Sequence, residues 1–309
     1  MHSQSAYVWR ARSIKILLKY NGRGYSLLLA LPFTPQSNKI ELSMNFQFYQ
    51  NKIKETTTFP IDSAWGQGRS AFGGLTAALV LTHIEQQTGL TDRDLRTINI
   101  HFCGAVILDE PCEFTHRILS EGKSVFQVEG QLLQNGQVKT QIVACFSAQR
   151  QSSIQVSHKP KFAEKSLTEA MTFPFVKGVV PDFVRYFDLR ITDGSLPGSG
   201  TKQSRLAGWM RFRDPTEPLD DSAMLCLIDA WPPAIMPMLD KPAPTSSITW
   251  NLEFIQPRDP LQAEDYLFYE CDVIQADFGY AHTEAKIFHP NGQLLALSRQ
   301  LVGVYDKRG

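Results

Sequence analysis

A chain of 309 residues with 43% hydrophobic content has length for about two domains and enough apolar surface for a real core. Thirty-one basic residues against thirty-one acidic ones leave no net charge, which excludes the electrostatic footprint of a nucleic-acid or anionic-membrane binder. No apolar run approaches the roughly 20 residues of a membrane span, the nearest being the short SLLLALPF at 26–33.

Residues 1–43 mix Ser, Arg, Lys and Gly without a sustained period, and are expected to be a weakly ordered extension or to precede the natural start. Met44 then opens MNFQFYQ, which runs into strand-like sequence near 53–60. Next comes FGGLTAALVLTHIEQQTG, an apolar helix opened by Gly73 and Gly74 and stopped by Gly89. Four strand-like runs follow at about 95–104, 111–120, 124–133 and 137–147, the last two joined by Asn135-Gly136, a type I′ hairpin signal. The polar, Lys- and Ser-rich stretch 149–181 predicts a linker.

The second half repeats this order. Strand-like stretches at 183–192 and 207–212 precede a helix at about 219–231, ended by Pro232 and Pro233. The runs SSITWNLEFIQ, YLFYECDVIQA, YAHTEAKIFH and QLLALSRQLVGVY follow, and Asn291-Gly292 joins the last two. A long apolar helix followed by antiparallel strands solves its burial problem when the sheet curls around the helix. The expected fold class is α+β, a double hotdog, with an N-terminal unit at 44–148, the linker at 149–181 and a C-terminal unit at 182–309. Two such units on one chain form an internal pseudo-dimer, which leaves open a homo-oligomer of that pseudo-dimer.

Five cysteines, widely spaced and without a CxxC pair, read as reduced, buried thiols of a cytoplasmic protein. Asp229 is the only charged residue between Ser222 and Leu239. An ionised carboxylate in such apolar surroundings costs several kcal/mol or takes up a proton, so it marks either chemistry or a buried structural cap. GQGRSA at 66–71 superficially fits a dinucleotide-binding loop, but no βαβ unit surrounds it. There is no G-x-S-x-G nucleophile elbow and no zinc-like spacing. His101 is a candidate for the cleft, although a structural role is the commoner one, and Arg69 is a candidate for meeting a phosphate.

The pieces WGQGRSAFGGLTAALVL, LIDAWPPA, TSSITWNLEFIQP and GQLLALSRQLVGVY, in this order, resemble the double-hotdog acyl-CoA thioesterases, the bacterial type II enzymes and their relatives, from about Thr57 to Tyr305. The resemblance implies hydrolysis of acyl-CoA by direct water attack, with no metal and no redox cofactor. It also implies a catalytic trio, in which the Asp falls on Asp229, the Gln on Gln300 and the hydroxyl on Ser247. Thr245, Ser246 and Thr249 are open alternatives for the hydroxyl if the register slips. Gly73 and Gly74 are the candidate substrate-binding positions, where a helix N-terminus free of side chains lets a thioester approach backbone N–H groups; a plain helix start packed tightly against the sheet is the equal alternative. Ala144 stands at the same distance from its Asn-Gly turn as Gln300, so one working site per chain is expected. The alternatives are a non-catalytic acyl-CoA binding protein and a hotdog hydratase or dehydratase.

Overall fold

The computed structural model describes residues 7–11, 14–20, 25–27, 44–158, 166–215 and 217–306, in two compact units divided between Ser43 and Met44. In the first unit, strands β1 (Tyr7–Ala11), β2 (Ile14–Tyr20) and β3 (Tyr25–Leu27) form an antiparallel sheet. The rest of the expected 1–43 extension lies outside the described residues, as does 159–165 of the expected linker.

The second unit opens with helix α1 (Phe46–Glu55) instead of the strand-like run read from the sequence. Asn45 caps it by accepting a hydrogen bond from the Phe48 N–H at 2.9 Å. Phe46, Tyr49, Gln50 and Ile53 are its buried residues, an i, i+3, i+4, i+7 stripe that only a helix turns to one side. Strand β4 is confined to Thr58–Pro60, and a small hairpin of β5 (Gly66–Gln67) and β6 (Ser70–Ala71) leads into α2 (Gly73–Thr88). Every residue of α2 from Gly74 to Ile84 is buried, as its apolar sequence requires. Gly89 ends the helix in the left-handed conformation at φ 60°, donating its N–H to the Glu85 carbonyl.

Strands β7 (Asp94–Phe102), β8 (Pro111–Glu121), β9 (Val125–Gln134) and β10 (Gln137–Ser147) complete the first half. The second half has the short β11 (Met171–Thr172), β12 (Phe187–Asp193), β13 (Arg205–Phe212), helix α3 (Asp221–Ile228), then β14 (Thr245–Phe254), β15 (Leu267–Asp277), β16 (Tyr280–Phe288) and β17 (Leu294–Val304). All are strands of one twelve-stranded antiparallel sheet in the order β11-β12-β13-β15-β16-β17-β14-β7-β10-β9-β8-β4. Read outward from the β14–β7 junction, each half presents the same succession, and each contributes one helix. The double hotdog fold expected from the repeat is therefore present. At the junction Asn251 pairs with Asn99, and the Asn251 side-chain amide donates to the Asn99 side-chain oxygen at 2.9 Å.

The two Asn-Gly hairpins occupy equivalent places but differ in turn chemistry. Asn135 and Gly136 both take positive φ, 51° and 70°, as a two-residue type I′ turn demands. Asn291 follows Pro290, whose ring holds φ negative, so the turn instead spans His289 to Gly292, closed by the Gly292 N–H donating to the His289 carbonyl at 2.8 Å. Only Gly292 there is left-handed, at φ 87°. No described helix is long and apolar enough to cross a membrane.

Candidate active site

Helix α3 is shorter than the sequence suggested. It ends at Ile228 because Pro232 disfavours helical geometry at Trp231 and Pro233 follows, so Asp229 is the C-terminal cap and not an interior residue. This placement carries the Asp229 carboxyl to the N-terminus of α2, in the other half. There it accepts the Gly74 N–H, one of the helix donors that has no intrahelical partner. Phe72, at the N-cap position of α2, supplies no side-chain bond of its own, so Asp229 does the capping from across the pseudo-dimer.

Gln300 on β17 donates its side-chain N–H to Asp229 Oδ1 at 2.9 Å. Burial pushes the Asp229 carboxyl up to about 7, against the lowering effect of the Gln300 and Gly74 hydrogen bonds. The carboxyl is half-buried, and its open side faces a cavity of about 350 Å³ whose wall also includes Gly73, Thr76, Thr140, Trp231 and Gln300. An added Cβ on Gly74 would lie 2.8 Å from the Asp229 Cβ, and one on Gly73 would lie 3.2 Å from Asp229 Oδ2. Glycine at both positions is what permits the carboxylate to reach the helix end.

A β-bulge separates the hydroxyl candidates. Ser247 pairs with Val302 and Thr249 with Leu301, so Ile248 is an extra residue that reverses the alternation of side chains along β14. Thr245, Ser246 and Ser247 consequently line the cavity with Asp229, whereas Thr249 lies on the outer face beside Asn99, His101 and His282. Of the sequence candidates, Asp229 and Gln300 are in direct contact, and Ser247 shares their cavity. Gly73 lines the cavity too. Gly74 is buried with its N–H given to Asp229, so Gly73 is the one of the pair left open to a ligand.

Other readings change. His101 is exposed and outside the cavity, and Arg69 is exposed on the turn between β5 and β6. All five cysteines are free, but Cys103 is exposed, because β7 ends before it, and Cys145 is only half-buried, because strand alternation on β10 turns Ala144 and Phe146 inward and Cys145 outward. Thr76 and Thr140 were not singled out from the sequence. Their hydroxyls meet at 3.1 Å on the cavity wall, a pairing between a helix and a strand with no local signature.

The equivalent place in the other half is built differently. Register pairs Gln300 with Trp250 and Ala144 with Ile98, each the residue before its junction asparagine, so Ala144 stands where Gln300 does. At the N-terminus of α3 it is Glu85 that accepts from Ser222 Oγ at 3.0 Å, while Asp220 caps the helix through the Ala223 N–H. Burial pushes Glu85 up to about 8, helped by Asp221 and Asp220. The carboxylate is kept there and the amide is not.

The family described as acyl-CoA thioesterase N-terminal domain matches residues 61–147, and that described as acyl-CoA thioesterase C-terminal domain matches residues 163–304. Comparison with curated protein sequences gives no match. Among solved structures, the chain is similar to a conserved hotdog-fold protein of unknown function from Alicyclobacillus acidocaldarius, with 21% identity and a TM-score of 0.69 over 82% of this chain and 93% of that one. It is also similar to an acyl-CoA thioesterase II from Mycobacterium marinum, with 21% identity and a TM-score of 0.59 over 80% of this chain and 91% of that one. At these identities the structural likeness speaks for the hotdog fold.

Proposed function

From the premise that the chain belongs to the acyl-CoA thioesterase family and is a thioester hydrolase, we propose that Asp229, Gln300 and Ser247 hold and activate the attacking water. Water is a poor nucleophile, and a thioester already has a good leaving group, so the site must mainly orient the water, take its proton and stabilise the oxyanion. Asp229 accepts the proton as the water oxygen bonds to the carbonyl carbon. The C–S bond then breaks, and the proton passes from Asp229 to the departing thiolate. A carboxylate at about 7 is a far better base than an ordinary aspartate and is still substantially ionised near neutrality. Gln300 fixes one carboxylate oxygen and keeps a second amide hydrogen for the water, while Ser247 adds a hydroxyl from β14. The Gly73 end of α2 offers unpaired backbone donors and the positive end of the helix dipole to the oxyanion.

The observation that carries this reading is the Gln300–Asp229 contact at an N-terminus supplied by the other half. It weighs against a purely binding protein, in which a carboxylate that only caps α2 would need neither a face on the cavity nor the Gln300 amide. A hydratase would be expected to place a histidine in the cleft, and among the described residues none lines this cavity. The test is release of free thiol from acyl-CoAs of graded chain length, comparing the native chain with Asp229→Asn. Turnover should fall by about 10²- to 10⁴-fold with little change in affinity, and native-rate hydrolysis by the variant would remove Asp229 from the mechanism.

A further inference from the structure

The cavity beside Asp229, at about 350 Å³, is at the lower end of what encloses a drug-sized ligand, and an acyl-CoA is larger. A thioester held at Asp229 therefore leaves the nucleotide end of its ligand outside, where the phosphates keep their solvation. The mouth is marked by the exposed lining residues Gln67 of β5, Gly104 and Ala105 beyond β7, and Ser246 of β14, whereas Gly73, Thr76 and Asp229 are not exposed. Two cations stand at this mouth. Arg69 is at the tip of the β5–β6 hairpin, whose residues Gln67 and Ser70 both line the cavity, and Gly68 opens its two-residue turn at φ 67°. Lys139 is the extra residue of a bulge on β10, between Val138, which pairs with Leu133, and Thr140, which pairs with Leu132 and lines the cavity. The Lys139 side chain lies over Gly104, where an added Cβ would be 3.4 Å from Lys139 Cδ and 3.8 Å from its Nζ.

Neither cation is neutralised. Among the described residues the Arg69 side chain makes no hydrogen bond or ion pair, and the exposed Lys139 ammonium donates only to the Gln137 side-chain oxygen at 3.0 Å, which leaves it further donors. Elsewhere on the chain Arg117, Arg190, Arg205 and Arg258 each meet a carboxylate. Asp229, away from the mouth, is the one acidic residue of the cavity wall among the described residues. Two uncompensated cations at a mouth of neutral residues suit an anion that arrives with the ligand. We infer that Arg69 and Lys139 bind the phosphates of the substrate's coenzyme A and hold its nucleotide end at the mouth while the thioester reaches Asp229. The inference rests on the thioesterase reading above. A guanidinium meets two phosphate oxygens at once, and an ammonium serves as a point charge beside it. Phe102 gives the pantetheine arm a path between the two ends, since its ring lies 3.1 Å from where a Gly73 Cβ would be and Gly104 follows two residues later.

Coenzyme A offers two phosphate sources, its diphosphate and its 3′-phosphate, and the experiment separates them. In the full chain, Arg69→Gln and Lys139→Gln each remove a charge and keep a long polar side chain. KM for an acyl-CoA should rise about three- to tenfold in each variant with kcat little changed, because a charge-assisted contact at the surface is made equally in the ground and transition states. The same acyl group on pantetheine, which carries no phosphate, should give native constants in both. Added salt should raise KM for acyl-CoA in the native chain and less so in the variants. The second readout uses no turnover: calorimetric binding of coenzyme A and of dephospho-coenzyme A, which lacks the 3′-phosphate. Binding weakened about three- to tenfold for both ligands assigns the contact to the diphosphate, and weakening for coenzyme A alone assigns it to the 3′-phosphate. Constants and affinities within twofold of native in the double variant, or an equal rise in KM for acyl-pantetheine, overturn the inference and leave the thioesterase reading standing. A native chain that binds coenzyme A but hydrolyses no thioester removes the thioesterase reading, and the binding measurement then decides for or against the two cations. A native chain that neither binds coenzyme A nor hydrolyses acyl-CoA overturns both.

Discussion

At Asp229 burial and hydrogen bonding pull in opposite directions, and burial wins. Its proton affinity is raised to about 7 from an ordinary value near 4. If the ionised form is the base, kcat should fall about tenfold per pH unit below about 7, a slope that Asp229→Asn should lack. Stability should move the other way. A carboxyl whose folded value is raised binds more protons in the folded than in the unfolded state, so its contribution is fully present below about pH 4 and is lost as pH rises through about 7. Asp229→Asn should therefore melt close to the native chain at pH 4 and above it at pH 8, by several degrees at about 2–4 °C per kcal/mol. Glu85, raised to about 8, has its own pH window but is common to both proteins and cancels in the difference. A native chain that melts at or above the variant at pH 8 would mean that the carboxylate is better paired than its burial implies.

At the scale of elements, the helix rests on the sheet with no space to spare. An added Cβ on Gly130 of β9 would lie 2.6 Å from Val80 Cγ1 and 2.7 Å from Ile84 Cδ1 of α2. Gly130→Ala should cost about 1–3 kcal/mol through overpacking, seen as a lower urea midpoint at an unchanged m value. The hairpin between β15 and β16 offers the opposite case. Phe278 and Gly279 form its two-residue turn with φ of 50° and 80°, and Phe278 is 92% exposed. A bulky residue in the left-handed region is strained and here gains no burial in return, so Phe278→Asn should stabilise by about 1 kcal/mol. An unchanged or lower melting temperature would show that the ring packs on something in solution.

At the scale of the molecule, everything the repeat requires lies after Ser43: both helices, the whole twelve-stranded sheet and the cavity. A chain beginning at Met44 should keep its melting temperature and thiol release nearly unchanged, and a large loss of either would make the first 43 residues structural. The repeat itself was legible in the residues, because helix period, strand alternation and the two Asn-Gly turns are local signals that recur in the same order. Asp229 was legible as well, as a lone charge in an apolar run. The helix at Phe46–Glu55 was missed because its short stripe of buried residues among polar ones is also compatible with half-buried strands.

Sequence by itself determined the order of elements, their doubling, and the residue types from which a site could be built. Only the tertiary structure decided how those residues meet. Whether Ser247 or Thr249 faces the cavity depends on a bulge at Ile248, which exists only in the pairing of β14 with β17 some fifty residues later in the chain. That Asp229 caps α2 depends on α3 ending early and on the two halves packing helix to helix, and neither is a local propensity. That the buried indole N–H of Trp231 has no partner among the described residues is likewise invisible in a string of residues, since a missing partner is a property of all the groups that could have surrounded it. Propensity and period act over a few residues, while burial, register and hydrogen-bond satisfaction are sums over neighbours the chain brings from far away.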